Sequence, residues 1–307
     1  MPFVIAACIL LLLYVVFIVA PSIVAFHFIF SRMTSVKLDD VSKADSRYTP
    51  FIPAMIEGRD FIRNKNPEKV YVTSDDGLTL AAEYVDHGSD RTAIFFHGYH
   101  SDAGVNFPIQ GKMFYEEGFN LILVDQRAHA ESEGKRSTLG VLEGDDAVKW
   151  AEYAASRGAD KIVVYGLSMG ASGIALAADR FDPATVRTLV IDCGFTSPYN
   201  QLVCECKRRR LPWPFMMPWL RIAGKICLGI DIKKNTADAL SKTRVPAFFI
   251  HGTADATVPV EEGKKNYAAC ASDKEIFLTE GAAHTVAFPA GGERAKDAMF
   301  SFINKNL

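Results

Sequence analysis

The sequence of 307 residues lacks several patterns that are typical of common protein classes. No basic stripe is interleaved with aromatics, and the formal net charge is -2, so we do not expect nucleic acid as a partner. The six cysteines lack the spacing of a disulfide framework. Neither a phosphate-binding glycine loop nor an H-E-x-x-H metal motif is present, so we predict no cofactor and no metal.

Charge is also absent from the start of the chain. Positions 2–30 hold no charged residue, and this apolar stretch is longer than the roughly 20 residues that cross a bilayer as a helix. A cleaved signal peptide is the alternative, but it would have a cationic first region and a shorter apolar core. We therefore predict an uncleaved transmembrane helix over residues 1–31, which makes the membrane a partner of this protein.

The charges that follow this helix predict its orientation. None precedes it, and Arg32, Lys37, Lys43 and Arg47 come directly after it. By the positive-inside rule, we expect a single-pass protein of the cell membrane with the rest of the chain in the cytoplasm.

Beyond a juxtamembrane segment at 32–66, short β-rich segments alternate with helical ones. Eight strands are predicted, from "KVYVTS" to "KEIFLTE", with amphipathic helices between most of them. This alternation predicts an α/β fold over 67–307, with a mostly parallel eight-stranded sheet covered by helices on both faces. Residues 198–244, which include "LPWPFMMPWL", interrupt the alternation, and we predict that they form a helical lid.

One glycine-flanked serine stands where a strand becomes a helix. The segment "GLSMG" matches G-x-S-x-G between the strand "KIVVYG" and the helix "MGASGIALAADR". Such a turn lifts a serine hydroxyl above the sheet, and small residues on both sides leave room for it. We therefore predict that Ser168 is a catalytic nucleophile.

A serine nucleophile needs a base, and the base needs a carboxylate to orient it. Asp255 follows the strand "VPAFFIHG", and His284 follows the next strand, in the order serine, acid, histidine. We predict that these three side chains form a catalytic triad. The oxyanion would be bound by the backbone amides of Met169, directly after the nucleophile, and Tyr99, in the loop after "AIFFHG".

These segments resemble those of the α/β-hydrolase superfamily. The residues that carry the resemblance are "HGYHSD", "LVDQRAHAESEG", "GLSMGAS", "IDCGFTSP" and "IHGTADATVP", and it extends from about Lys69 to the C-terminus. More narrowly, the chain resembles membrane-anchored bacterial hydrolases related to dienelactone-hydrolase and prolyl-oligopeptidase-like enzymes. Ala130 and Ala283 depart from this pattern, because glycine is common at both positions.

The resemblance and the candidate triad predict a serine hydrolase of carboxylic esters that acts through an acyl-enzyme. We expect a small-molecule or lipid-like ester as the substrate. Tryptophans and a basic cluster in the lid suggest an apolar acyl channel that opens toward the membrane surface, which favours lysophospholipids, monoacylglycerols or thioesters. A serine peptidase or amidase is an alternative. A catalytically silent hydrolase-fold interaction protein is another, because a fold alone does not imply turnover.

Overall fold

A computed structural model describes residues 1–32 and 46–307. Of the four cations that predict the orientation of the N-terminal helix, Lys37 and Lys43 lie outside the described residues, as does part of the predicted juxtamembrane segment. The eight strands, β1 to β8, are Glu68–Thr73, Thr79–Val85, Arg91–Phe96, Asn120–Val124, Lys161–Leu167, Val186–Asp192, Ala247–Gly252 and Lys274–Thr279.

All eight strands form one sheet in the order β1-β2-β4-β3-β5-β6-β7-β8. The pairs from β4 to β8 are parallel, whereas β2 is antiparallel to both of its neighbours. The strands β4 and β7 are buried along their whole length and mostly apolar, because both faces of the sheet are covered. The predicted eight-stranded, mostly parallel α/β-hydrolase sheet is confirmed.

Helices pack on both faces of the sheet and make two separate apolar cores. One core contains Trp150 and Ile174, and the other contains Phe114, Phe288 and Phe302. The helices are α1 Pro2–Phe30, α2 Ile52–Arg63, α3 Ala103–Asn106, α4 Pro108–Glu116, α5 Glu143–Ser156, α6 Met169–Leu176, α7 Pro198–Arg208, α8 Trp213–Leu228, α9 Thr236–Leu240, α10 Val260–Ala269 and α11 Ala287–Asn306. A short 3-10 helix at Ser46–Phe51 precedes α2.

Helices α7, α8 and α9 occupy the segment predicted as a lid, between β6 and β7. Ser197 caps the start of α7, where its hydroxyl accepts a hydrogen bond from the Asn200 amide at 3.1 Å. Gly229 ends α8 in the left-handed conformation, which glycine adopts without a steric penalty. These signals fix the ends of the lid helices.

Helix α1 is apolar along its length and long enough to cross a bilayer. A π-helical turn at Val15–Val19 precedes Pro21, and the helix continues through this proline to Phe30. Its last turns do not stand free of the hydrolase fold. Phe26 and Phe30 are buried in an apolar cluster with residues of α6 and the lid.

The C-terminal end of α1 is held by polar contacts as well. The last carbonyls of a helix have no partner within the helix. The Tyr99 hydroxyl donates to the Ile29 carbonyl at 2.7 Å, and the Ser137 amide donates to the Phe30 carbonyl at 3.0 Å. The Arg32 guanidinium donates to the Ser132 carbonyl at 2.6 Å. The predicted division into residues 1–31, 32–66 and 67–307 stays a prediction, and these contacts cross its boundaries.

Candidate active site

Ser168 lies at the turn between β5 and α6, with φ 53° and ψ -110°. A residue with a side chain pays a steric cost for positive φ, so the surrounding structure must hold this turn in place. Its amide donates to the Asp192 carbonyl at 2.8 Å, and its carbonyl accepts from the Ser172 amide at 2.9 Å. The backbone is thus fixed on both sides of the serine.

The two glycines around Ser168 are needed for close packing. A Cβ on Gly166 would lie 2.5 Å from the Ala171 nitrogen, and one on Gly170 would lie 2.0 Å from the Phe96 carbonyl oxygen. Both obstructing atoms belong to the backbone and cannot rotate away. The sharp turn therefore depends on glycine at both positions.

The structure brings the three predicted triad side chains together. The Ser168 hydroxyl lies 2.9 Å from His284 Nε2, and His284 Nδ1 lies 2.6 Å from Asp255 Oδ2. Because a carboxylate only accepts, Nδ1 carries the proton and Nε2 is free to accept from the serine. This is the arrangement in which a histidine can act as a general base.

Asp255 is held by more than the histidine. Its Oδ1 accepts from the amides of Thr257 and Val258, both at 2.8 Å. Burial alone would raise the pKa of Asp255, but hydrogen bonds from His251 and His284 outweigh it and hold this pKa well below its usual range. Asp255 is therefore ionised at neutral pH.

Asp192, at the end of the preceding strand, is the other carboxylate near the turn. It is fully buried, and its Oδ2 accepts from the Tyr165 hydroxyl at 3.0 Å. Burial raises its pKa to about 7. Its hydrogen bond is thus made to a tyrosine on β5, whereas Asp255 is the carboxylate that contacts His284.

The predicted oxyanion donors both belong to segments next to the serine. Met169 begins α6, and Tyr99 follows Gly98, whose Cβ position lies 3.7 Å from the Ser168 Cβ. Within residues 1–32 and 46–307, neither the Met169 nor the Tyr99 amide has a hydrogen-bond acceptor. Asn106 holds the loop by accepting from the Gly98 amide at 2.7 Å. Both amides are therefore available to a ligand at Ser168.

A network of buried polar groups supports this loop. His97 donates from Nδ1 to the Gly98 carbonyl at 2.7 Å and accepts from the Gln126 amide at Nε2. Burial and the neighbouring His129 lower the pKa of His97 to about 3, so His97 is neutral at neutral pH and stabilises the loop through its hydrogen bonds. Ala130, where related proteins commonly have glycine, keeps a positive φ of 37°.

Two contacts near His284 could not be expected from the sequence. Arg47 donates to the His284 carbonyl at 3.2 Å, and the Tyr48 hydroxyl bonds the Thr285 hydroxyl. The segment before α2 therefore packs on the loop that carries the histidine. No local pattern signals this, because the partners are 237 positions apart. Ser168 is 6% exposed, so the candidate site is covered.

Cys193 is a further neighbour that the sequence did not single out. Its sulfur and ligand atoms of Asp255 and His284 lie within 4.8 Å of one another, a grouping that could hold a metal ion. However, Asp255 and His284 are bonded directly to each other, and the second nitrogen of His284 faces Ser168. Burial raises the pKa of the Cys193 thiol, which disfavours the thiolate that a metal would need. The donor set fits a triad better than a metal centre.

The sheet order and the serine turn define the class of protein, an α/β hydrolase. Residues 88–241, about half of the chain, match the family model described as serine aminopeptidase, S33. The chain belongs to this family of hydrolases. The matched region contains Ser168 and ends before Asp255 and His284.

Several curated proteins and solved structures are similar to this chain. The uncharacterized protein YfhR of Salmonella typhi is 26% identical over 260 residues, covering 78% of this chain and 82% of that protein. The uncharacterized protein YqkD of Bacillus subtilis is 25% identical over 223 residues, covering 71% of this chain and 72% of that protein. The structure of the esterase Pf2001 of Pyrococcus furiosus has a TM-score of 0.64 and 22% identity, covering 79% of this chain and 93% of that chain. At that identity the structural likeness shows the fold alone.

Proposed function

We propose that this protein is a serine hydrolase that cleaves carboxylic esters, including thioesters, through a Ser168–His284–Asp255 triad. The observation that carries the proposal is the continuous chain of hydrogen bonds from the Ser168 hydroxyl through His284 to Asp255. The esterase structures among the neighbours support an ester substrate. A serine peptidase or amidase would use the same groups, and the S33 description is the reason to keep it as a second candidate.

In the proposed reaction, Ser168 Oγ attacks the acyl carbon while His284 Nε2 takes its proton. The amides of Met169 and Tyr99 donate to the oxyanion of the tetrahedral intermediate. His284 then returns the proton to the leaving alcohol or thiol, and an acyl-enzyme remains on Ser168. Water repeats the sequence with His284 as base, which releases the acid and restores the serine. Asp255 keeps the imidazole in the required tautomer throughout.

We propose a lipid-like or other small-molecule ester as the substrate. An apolar cluster adjoins the site and contains Met169, with Phe30 from α1 and Met217 and Leu220 from α8. An acyl chain would find apolar side chains there. We place the protein in the cell membrane as a single span, which the apolar helix α1 supports. The hydrolase domain would lie in the cytoplasm, which the cations after α1 favour.

The experiment is an ester panel that varies only the length of the acyl chain, with the Ser168→Ala protein as the blank. We expect the variant to lose ester hydrolysis and labelling by a fluorophosphonate while its thermal unfolding is unchanged. Turnover of esters by the variant at near the wild-type rate would refute the nucleophile. A wild-type protein that takes the label yet hydrolyses peptide amides faster than every ester would favour the peptidase candidate, whereas failure to take the label would favour a silent interaction protein.

A further inference from the structure

Helix α8 has an apolar face that the described residues leave partly exposed. Phe215, Ile222 and Ile226 lie 58%, 47% and 78% exposed on one side of it, while Met217 and Leu220 are buried on the other. Their spacing of four and seven residues places the exposed side chains on one stripe. Trp219 lies beside this stripe. The lid thus presents apolar side chains both inward, toward the candidate site, and outward.

This outward face is continuous with helix α1. The Trp219 indole nitrogen donates to the Tyr14 hydroxyl at 2.9 Å, and the two rings lie 6.4 Å apart. Tyr14 is close to the middle of α1, and the apolar side chains around it on α1 are exposed. The contact therefore joins the lid to the part of α1 that a membrane would cover.

Tyr14 lies within the apolar length of α1, with apolar residues on both sides of it along the helix. A helix that crosses a bilayer keeps its apolar length in contact with lipid. If α1 spans the membrane, the part of the lid that contacts α1 at Tyr14 lies beside the same lipid.

The charges around α8 agree with this placement. The apolar stripe is flanked on one side by Lys225, whose long side chain can reach the headgroups, and by Arg221, which forms an ion pair with Asp231 at 2.7 Å. The end of α7 and the turn before α8 carry the exposed basic residues Lys207 to Arg210. Arg208 and Arg209 contact Glu205, and the cluster keeps a net positive charge where it would meet anionic lipid. An apolar face with a basic border is typical of a helix that lies in a membrane interface.

We propose that α8 lies in the bilayer interface beside α1, with Phe215, Trp219, Ile222 and Ile226 in contact with acyl chains. The opposite face of α8 packs on the apolar cluster next to Ser168, so a substrate would enter from the lipid phase. This inference rests on the proposed membrane anchor. It also goes beyond that anchor, because a hydrolase tethered by α1 alone would carry its lid in water.

The three tryptophans of the chain provide the test. The full chain is reconstituted in phosphatidylcholine and phosphatidylglycerol vesicles, with or without dibrominated phosphatidylcholine, which quenches tryptophans that contact lipid. The Trp213→Phe protein retains Trp219 and the fully buried Trp150. We expect it to lose about half of its emission in brominated vesicles, because one of its two indoles meets lipid. The matched control, which also carries Trp219→Phe, should not be quenched.

Equal emission of the Trp213→Phe protein in both kinds of vesicle, with the protein still bound after a carbonate wash, would overturn the lid proposal and leave the anchor intact. Release by carbonate would overturn both. As a second measurement, Phe215→Lys should lower hydrolysis of a long-chain ester in vesicles about tenfold or more and leave a soluble acetate ester unaffected. Leu278→Lys, on the far edge strand β8, is the control for an added charge. Equal loss on both esters would contradict entry from lipid.

Discussion

Replacing Asp255 with asparagine tests the hydrogen-bond chain behind the candidate nucleophile. The amides of Thr257 and Val258 both donate to Oδ1 at 2.8 Å, and they will hold the oxygen of an asparagine in that position. The new NH₂ group then faces His284, whose Nδ1 lies 2.6 Å from Oδ2. An NH₂ group can only donate, so Nδ1 must accept and the ring proton moves to Nε2. In that tautomer His284 cannot take the proton of Ser168.

The expected loss can be stated from this geometry. In a serine protease, the same change of tautomer lowers kcat about 10⁴-fold, which corresponds to about 5.4 kcal/mol at 1.36 kcal/mol per factor of ten. The fold should survive, because the two backbone hydrogen bonds remain. Folding lowers the pKa of Asp255, so the ionised carboxylate stabilises the folded protein at any pH above the usual carboxyl pKa. This stabilisation is lost as the pH falls through the pKa that Asp255 has in the folded state. The stability difference between wild type and variant should therefore be constant above about pH 5.

The assay is kcat on a nitrophenyl acetate ester, beside thermal unfolding of each protein at several pH values. Asp192→Asn is the matched control, because Asp192 is equally buried at the end of the neighbouring strand but contacts Tyr165 instead of the histidine. We expect the control to keep kcat within about tenfold, since it alters no group of the triad. Near wild-type activity of Asp255→Asn, together with an inactive Asp192→Asn, would refute the assignment and place the acid on β6.

Two further substitutions test the packing around the serine. In Gly170→Ala, the added Cβ would lie 2.0 Å from the Phe96 carbonyl oxygen, so urea titration should show that the free energy of unfolding falls by about 3 kcal/mol or more. The control is Gly158→Ala, where φ is +94° but no atom lies within 4 Å, and there we expect a fall of about 1–2 kcal/mol. Equal falls in the two variants would show that the structure moves to relieve the clash at position 170. Tyr99→Phe removes the bond to the Ile29 carbonyl but keeps the amide, so the free energy of unfolding should fall by about 0.5–1.5 kcal/mol while kcat changes less than tenfold. If Tyr99→Phe lost as much kcat as Ser168→Ala, this would contradict the assignment of the Tyr99 backbone amide, and not its hydroxyl, as the group that contributes to catalysis.

The sheet and the location of the candidate site follow from local patterns in the sequence. Alternation of apolar strands with amphipathic helices predicts a parallel sheet, and the carboxyl ends of parallel strands meet at one edge. Ser168, Asp255 and His284 follow the ends of β5, β7 and β8 within five residues. Their proximity could therefore be predicted without any knowledge of long-range contacts.

The cover of the site could not be predicted in the same way. In a run of apolar residues such as α1, nothing local distinguishes Phe28, which is 70% exposed, from Phe30, which is fully buried. The distinction depends on which side of the helix meets the lid. The contact of Arg47 with the His284 carbonyl likewise depends on the whole fold, because the two residues belong to segments with no shared pattern.

The capped end of α1 has a practical consequence for making this protein in soluble form. A truncated chain that begins at residue 46 would keep the whole candidate triad but lose Phe26 and Phe30. Removing a buried phenylalanine side chain commonly lowers the free energy of unfolding by about 3–5 kcal/mol. The truncated chain would also leave the Tyr99 hydroxyl without its acceptor, beside an open apolar trough. Such an exposed apolar trough would bind detergent or a second copy of the protein. Purification of the intact chain in a lipid mimic is therefore the better starting point for crystallisation and for kinetics.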